Sequence, residues 1–219
     1  MFIKCSIYLI CSRLIPIMIV SISLSRYTDN TVYLHSTQRE GGIMSYESSQ
    51  IANYFIDKAH SENINMSTLK LMKIVYIAHG WGLAVLSKNI LGGEHVEAWQ
   101  HGPVIPSLYH SFKKFGSNPI KEYATEFKFN DLDDDPDNFS FDTIIPKVED
   151  SDTNLKQVLD FVWSVYKQYT GFDLVNMTHQ AGTPWSDSFK AGERHVVIEN
   201  HKIETFYKQQ VTDFLQKAS

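Results

Sequence analysis

The sequence predicts a compact single domain that is mainly α-helical with a small antiparallel β-sheet (α+β). Three observations carry that prediction. Apolar residues repeat at helical spacing over four long segments, 46–63, 67–87, 152–169 and 200–215. Strand-like alternation occurs only in short runs bounded by Gly, Pro, Asn or Asp. Hydrophobic residues make up 43% and aromatics 13% of 219 residues, enough to bury one core.

The elements follow in order. Over 46–63, Ile51, Tyr54, Phe55 and Ala59 share a helix face, with Ser45, Ser48 and Ser49 placed to cap it. Asn63 to Asn65 breaks the pattern. Ser67 is placed to cap a second helix that is apolar on nearly every face, as expected of the buried centre of a domain. Gly80 and Gly82 cost about 1 kcal/mol each in propensity, so their expected use is close packing. Leu91-Gly92-Gly93 is a turn, and HVEAW then alternates as a short strand. Pro106 opens a helix carrying Leu108, Tyr109, Phe112 and Phe115, with Gly116 past its end. Two short strands are expected at 125–129 and 139–145. A long amphipathic helix follows at 152–169, then two short helices at 172–179 and 185–190. Asn200 is placed to cap the last helix. There is no internal repeat and no low-complexity tract.

The first 43 residues read differently. They hold both cysteines, Cys5 and Cys11. Lys4 and the apolar run 14–24 resemble the start of a targeting segment. Arg13 argues against a full membrane span, since a central charge costs ~2.5–3.5 kcal/mol. Arg39-Glu40-Gly41-Gly42 is encodable by a purine-rich run resembling a ribosome-binding site, just before Met44. The hypothesis is that Met44 is the native start and 1–43 is translated upstream sequence, with a disordered or targeting-like extension as the alternative. Finding residues before Met44 by N-terminal sequencing of the native protein removes it. The patterned domain is then 44–219.

Several chemistries are disfavoured. From Met44 onward there is no Cys, hence no disulfide framework and no Cys-based zinc site, as in a cytoplasmic protein. The net charge of −5 offers no basic field for nucleic acid, and Lys113-Lys114 is too small a cluster to supply one. The nine histidines show no HExxH or similar spacing, so they read as structural hydrogen-bonders. In the acidic run DLDDDPDNFSFD, Asp131, Asp133, Asp135 and Asp137 take the first, third, fifth and seventh positions of a calcium loop. Pro136 stands where that loop needs Gly and Asp142 where it needs Glu, so a solvated connector is expected. No nucleophile elbow and no phosphate loop is present. No cofactor and no metal is expected.

One stretch, EAWQHGPVIPSLYHSF, concentrates unusual residues. Gly102 permits a turn that other residues resist, and Pro103 and Pro106 fix φ and are expected to end strand pairing. Trp99 and Tyr109 are large amphipathic anchors. Two readings stand: a rigid corner with its aromatics in the core, or an exposed corner presenting Trp99, His101 and Tyr109 to a partner.

Three segments in order, KLMKIVYIAHGWGLA, EAWQHGPVIPSLYHSF and VWSVYKQYTGFDLVNMTHQAGTPW, resemble the Panacea domain of SocA-type antitoxins and GepA-type phage-associated proteins. The resemblance covers about 46–208. It rests on Ala98, Trp99, Gly102, Pro103, Val104, Leu108 and Tyr109, then on Leu174, Thr178, His179, Pro184 and Trp185. It implies a largely helical fold with a small sheet. It also implies an antitoxin that neutralises by binding, with no established catalytic residues. Some members resemble adaptors that hand a toxin to a protease. Others carry a DNA-binding domain, for which this chain has no counterpart.

The expected function is therefore that of a cytoplasmic, non-enzymatic antitoxin of a bacterial or prophage system. Its partner is a cognate toxin encoded by an adjacent gene, neutralised by direct contact. The alternatives are a proteolytic adaptor, with a cellular protease as second partner, and a small enzyme using His101 or His179. The candidate partner-binding or fold-signature residues are Trp99, His101, Gly102, Pro103, Tyr109, Thr178, His179, Pro184 and Trp185. No nucleic acid and no membrane is expected as a partner.

Overall fold

The structure, a computed structural model, describes residues 46–130 and 140–218. The readings of 1–43 and of the acidic run at 131–139 lie outside the described residues. Helix α1 is Ser48–Ser61. Its start is closed by the Gln50 side chain, which accepts the Glu47 N–H at 2.9 Å. The serines expected to cap it serve other partners: Ser48 donates to Glu94 and Ser49 to Glu126, each at 2.8 Å.

Helix α2 is Thr68–Trp81, capped by the Ser67 hydroxyl, which accepts the Lys70 N–H. It is buried over almost its whole length and continues as a π-helical turn, Gly82–Leu86. The all-round apolar pattern thus marks the central helix, as read from the sequence. Gly80 explains its own cost. A Cβ there would lie 2.1 Å from the Tyr207 ring, so the glycine lets the C-terminal helix approach.

Strands β1 (Val96–Trp99) and β2 (Gly102–Val104) form a tight hairpin. Pro103 does not end the pairing, as expected above, but sits inside β2 opposite Ala98. The sheet explains why. Its order, with β5 (Val197–Ile198) as third strand, is β2-β1-β5, so Pro103 lies on an edge strand where a missing N–H is tolerated. Helix α3 (Pro106–Phe112) runs on as a 3₁₀ turn, Lys113–Phe115. Strands β3 (Glu126–Asn130) and β4 (Ser140–Ile144) form a separate two-stranded sheet.

Helix α4 (Thr153–Tyr166) is capped by Asp152, whose carboxylate accepts the Leu155 N–H at 3.0 Å. Helix α5 (Gly171–Thr178) opens on a Thr170–Asp173 capping box. The helix expected at 185–190 is instead a series of turns. Thr183 is one reason: its hydroxyl bonds the Thr178 and Gln180 carbonyls and accepts the Ser186 N–H, diverting groups a helix would use. Helix α6 is Asn200–Ala218. Asn200, expected to cap it, is its first residue and its side chain turns to another partner. Its side-chain oxygen lies 2.8 Å from Nε2 of His79, which is fully buried in α2. Burial pushes that imidazole down to about 4, so it is neutral at pH 7 and ties α6 to the central helix. Nearby, Trp81 packs edge-on against Phe161 of α4 and Tyr207 of α6.

Candidate functional site

The β1–β2 turn gathers most of the signature residues. Gly102 carries φ +99° and is buried between two side chains. A Cβ there would lie 2.8 Å from Nζ of Lys73 and 3.0 Å from Oγ1 of Thr178. Only glycine satisfies both the backbone and the space. Lys73, on α2, is 0% exposed and donates to the Pro103 carbonyl at 2.8 Å. Burial pushes its ammonium down to about 7. From the other side, the Trp185 indole donates to the Trp99 carbonyl at 2.8 Å. Trp185 is 8% exposed and stacks between His179, 3.6 Å away, and Phe189, 4.7 Å away. The turn is thus clamped between the central helix and the segment after α5.

Above this clamp stands a rim. Trp99 is half-buried and packs edge-on against Tyr109 at 5.0 Å. Its indole donates to the buried Glu97 carboxylate at 2.7 Å. His95, 3.0 Å away, and His195, 3.2 Å away, bracket the same carboxylate. Burial by itself pushes the Glu97 carboxyl up. The hydrogen bonds from Trp99, His95 and His195 outweigh it and hold the group below its usual value. His101 is exposed at the tip of the turn.

Two hollows flank the Trp99 ring. One, of about 380 Å³, lies between α2, the turn and α3 and is lined by Lys73, Trp99, His101 and Tyr109 among others. The other, of about 910 Å³, is wider and is lined by His110, His179, Trp185 and His195 among others. Nε2 of His179 is buried and has no hydrogen-bond partner among the described residues. Its imidazole is held down by burial first and then by the nearby Lys73 and His101. Among the described residues no group of three or more His, Cys, Asp or Glu is placed to hold a metal ion. Among the described residues the histidine hydrogen bonds go to carbonyl, amide or carboxylate oxygens, and none forms a nucleophile–base pair.

The nine signature residues therefore divide by depth. Gly102, Pro103, Thr178, Pro184 and Trp185 are buried, Trp99, Tyr109 and His179 are half-buried, and His101 is exposed. Pro184 stands apart from the turn, lining a cleft with Tyr76, Trp81 and Tyr207.

Over residues 71–186, more than half of the chain, the sequence matches the family model described as antitoxin SocA-like, Panacea domain. It is also similar to the antitoxin SocA of Caulobacter vibrioides (strain NA1000 / CB15N). The two are 30% identical over 144 residues, covering 64% of this chain and 69% of the relative. The chain belongs to the SocA-like Panacea family. No solved structure matches it.

Membership supports an antitoxin role. The Panacea match runs from Leu71 in α2 through both hairpins to Ser186 in the turns after α5, and so holds all nine signature residues together with Lys73 and Glu97. The sequence reading missed the last two, and Lys73 had a visible signal. It stands mid-run in LKLMKIVYIA, where an unpaired charge has no place on an all-apolar helix unless it meets a fixed acceptor. The same helix with its π turn, Thr68–Leu86, is long and apolar enough to cross a membrane, yet 78% of it is buried inside the fold, as a core helix is.

Proposed function

We propose that this protein is a cytoplasmic antitoxin that neutralises a cognate toxin by direct contact, using the rim of the β1–β2 turn. Family membership supports the antitoxin role. The observation that carries the choice of surface is the division by depth. Trp99 and His101 stand on a turn that Lys73 and Trp185 bond from below, and Tyr109 packs against Trp99 from α3. A rigid base under exposed or half-exposed aromatics lowers the ordering cost of binding, and such aromatics carry much of the energy of protein interfaces. The buried residues, Gly102, Thr178 and Trp185, serve the base.

The test is to induce the adjacent open reading frame in a bacterial host, with and without residues 44–219. Growth arrest relieved by the wild-type protein is expected. Rescue should fail with His101→Ala combined with Tyr109→Ala, while that variant melts like wild type. A harmless neighbour, or full rescue by the double variant, overturns the reading. A toxin half-life that shortens with the wild-type protein, in a protease-dependent way, moves it to the adaptor alternative.

A further inference from the structure

The 380 Å³ hollow beside the turn has a composition that direct toxin contact does not account for. Its walls are apolar and aromatic, with Met72, Trp99 and Tyr109 among them, and its polar lining includes Lys73, His101 and Lys113. Among the described residues no carboxylate lines it. Lys73 is fully buried, and among the described residues its three N–H groups have one acceptor, the Pro103 carbonyl at 2.8 Å. A buried ammonium is costly without an opposite charge and a full set of acceptors. His101 and Lys113 add positive or donor character at the same opening. The volume is that of a small-ligand site rather than a packing defect.

We propose that this hollow binds a carboxylate carried on a flat or branched apolar group. The carboxylate meets Lys73, with His101 and Lys113 at the mouth, and the apolar body lies against Trp99 and Tyr109. An apolar C-terminal residue of a polypeptide and a free aryl-acetic acid share this chemistry. The depressed protonation of Lys73 fits it, since a bound anion would restore the charge that burial disfavours. The proposal does not depend on toxin neutralisation, and its test uses the chain alone.

The experiment is calorimetric and NMR titration of the full chain with four probes: phenylacetate, phenylacetamide, and N-acetyl-Gly-Gly-Phe with a free or an amidated C-terminus. At least one free acid is expected to bind ten-fold or more tightly than its own amide. Lys73→Met should weaken that acid ten-fold or more and leave the amide unchanged. Lys113→Met, at an exposed position, should weaken it a few-fold and covers the case in which the Lys73 variant does not fold. Preference for the peptide acid assigns a polypeptide C-terminus as the source, and equal or better binding of phenylacetate assigns a small aromatic acid. Equal binding of acid and amide overturns the proposal, as does the absence of binding by either acid. An acid affinity untouched by both lysine changes overturns it as well.

Discussion

Among the described residues two antiparallel hairpins pair, and the shorter ladder is the more deeply embedded. The β3–β4 hairpin pairs five residues on each strand, whereas β1 pairs only three with β2. Yet all of β2 and most of β1 are buried, while Phe127 and Phe141 on β3–β4 are 64% and 54% exposed. The difference lies in what reaches each hairpin from elsewhere. Lys73 and Trp185 bond the backbone of the first at both sides of its turn, and β5 adds a third strand. The second is held at its base by side chains of α1: Ser49 donates to Glu126, Gln50 to the Lys147 carbonyl, and buried Asn53 reaches both sides. Asn53 donates to the carbonyls of Ala124 and Pro146 and accepts the Ala124 N–H, so a single side chain grips both strand roots. Ladder length does not set embedding. The place of the tertiary bonds does: on the turn itself in the first hairpin, outside the strand ends in the second.

The largest expected effect breaks the first hairpin. Trp185→Ala removes the indole that fills the space under the turn and leaves the Trp99 carbonyl unpaired. We expect a loss of about 3–5 kcal/mol, read by denaturant unfolding. A loss under about 1 kcal/mol would mean that Trp185 is not the clamp it resembles.

A pH titration of stability tests the other jaw of the clamp. The Lys73 ammonium lies at about 7 in the folded protein against an ordinary 10.5. The unfolded chain therefore holds more protons between those values, and stability should rise with pH across that window. His101, His179 and Lys113 are titratable groups near it, and buried Lys70, also held down by burial, adds in the same direction. Above pH 10 the buried tyrosines oppose the trend. Tyr46 is pushed up to about 12 and Tyr76 and Tyr207 are raised by burial, so the unfolded chain ionises first. The expected rise between pH 7 and about 10 is on the order of 2–4 kcal/mol, and Lys73→Met should remove most of it. A flat profile in the wild-type protein would show that Lys73 finds a charge partner or solvent.

These two residues also mark what the sequence could and could not say. Helices α1, α2 and α4 were legible because apolar residues recur at their period, and the tight turn was legible from Gly102. Strand β5 was not, since two residues carry no period, and β2 was hidden by Pro103 until its edge position was known. Trp99 and Trp185 were both singled out. That one indole would meet the other's carbonyl across 86 positions is a fact of packing, which local pattern does not encode. Lys73 was passed over for the opposite reason: it lay inside a pattern so apolar that the exception was absorbed into it.

The second hairpin gives a smaller and more local effect. Asn53→Ala leaves two carbonyls and one N–H at the strand roots without their partner. Buried unpaired groups cost about 1–3 kcal/mol, and water reaching this edge of the fold will limit the sum. We expect a loss in that range. Amide exchange should speed up in β3 and β4 while α2 and β1 keep their protection. Equal acceleration in both hairpins would join them into one cooperative unit and remove the contrast.

The smallest expected effect is the sharpest check on the comparison. Phe127 and Phe141 meet edge-on at 5.3 Å as a diagonal pair, since Phe127 stands opposite Thr143, and both lie on one face of the sheet, open to solvent. Replacing both with Ser removes a cross-strand pair worth about 0.5–1 kcal/mol and no core volume. Unfolding should therefore shift by no more than that, although the change deletes two of the larger apolar side chains in the protein. If instead the double variant loses 3 kcal/mol or more, the aromatic face is packed against something in solution. The second hairpin would then be as embedded as the first, only by contacts beyond its own fold.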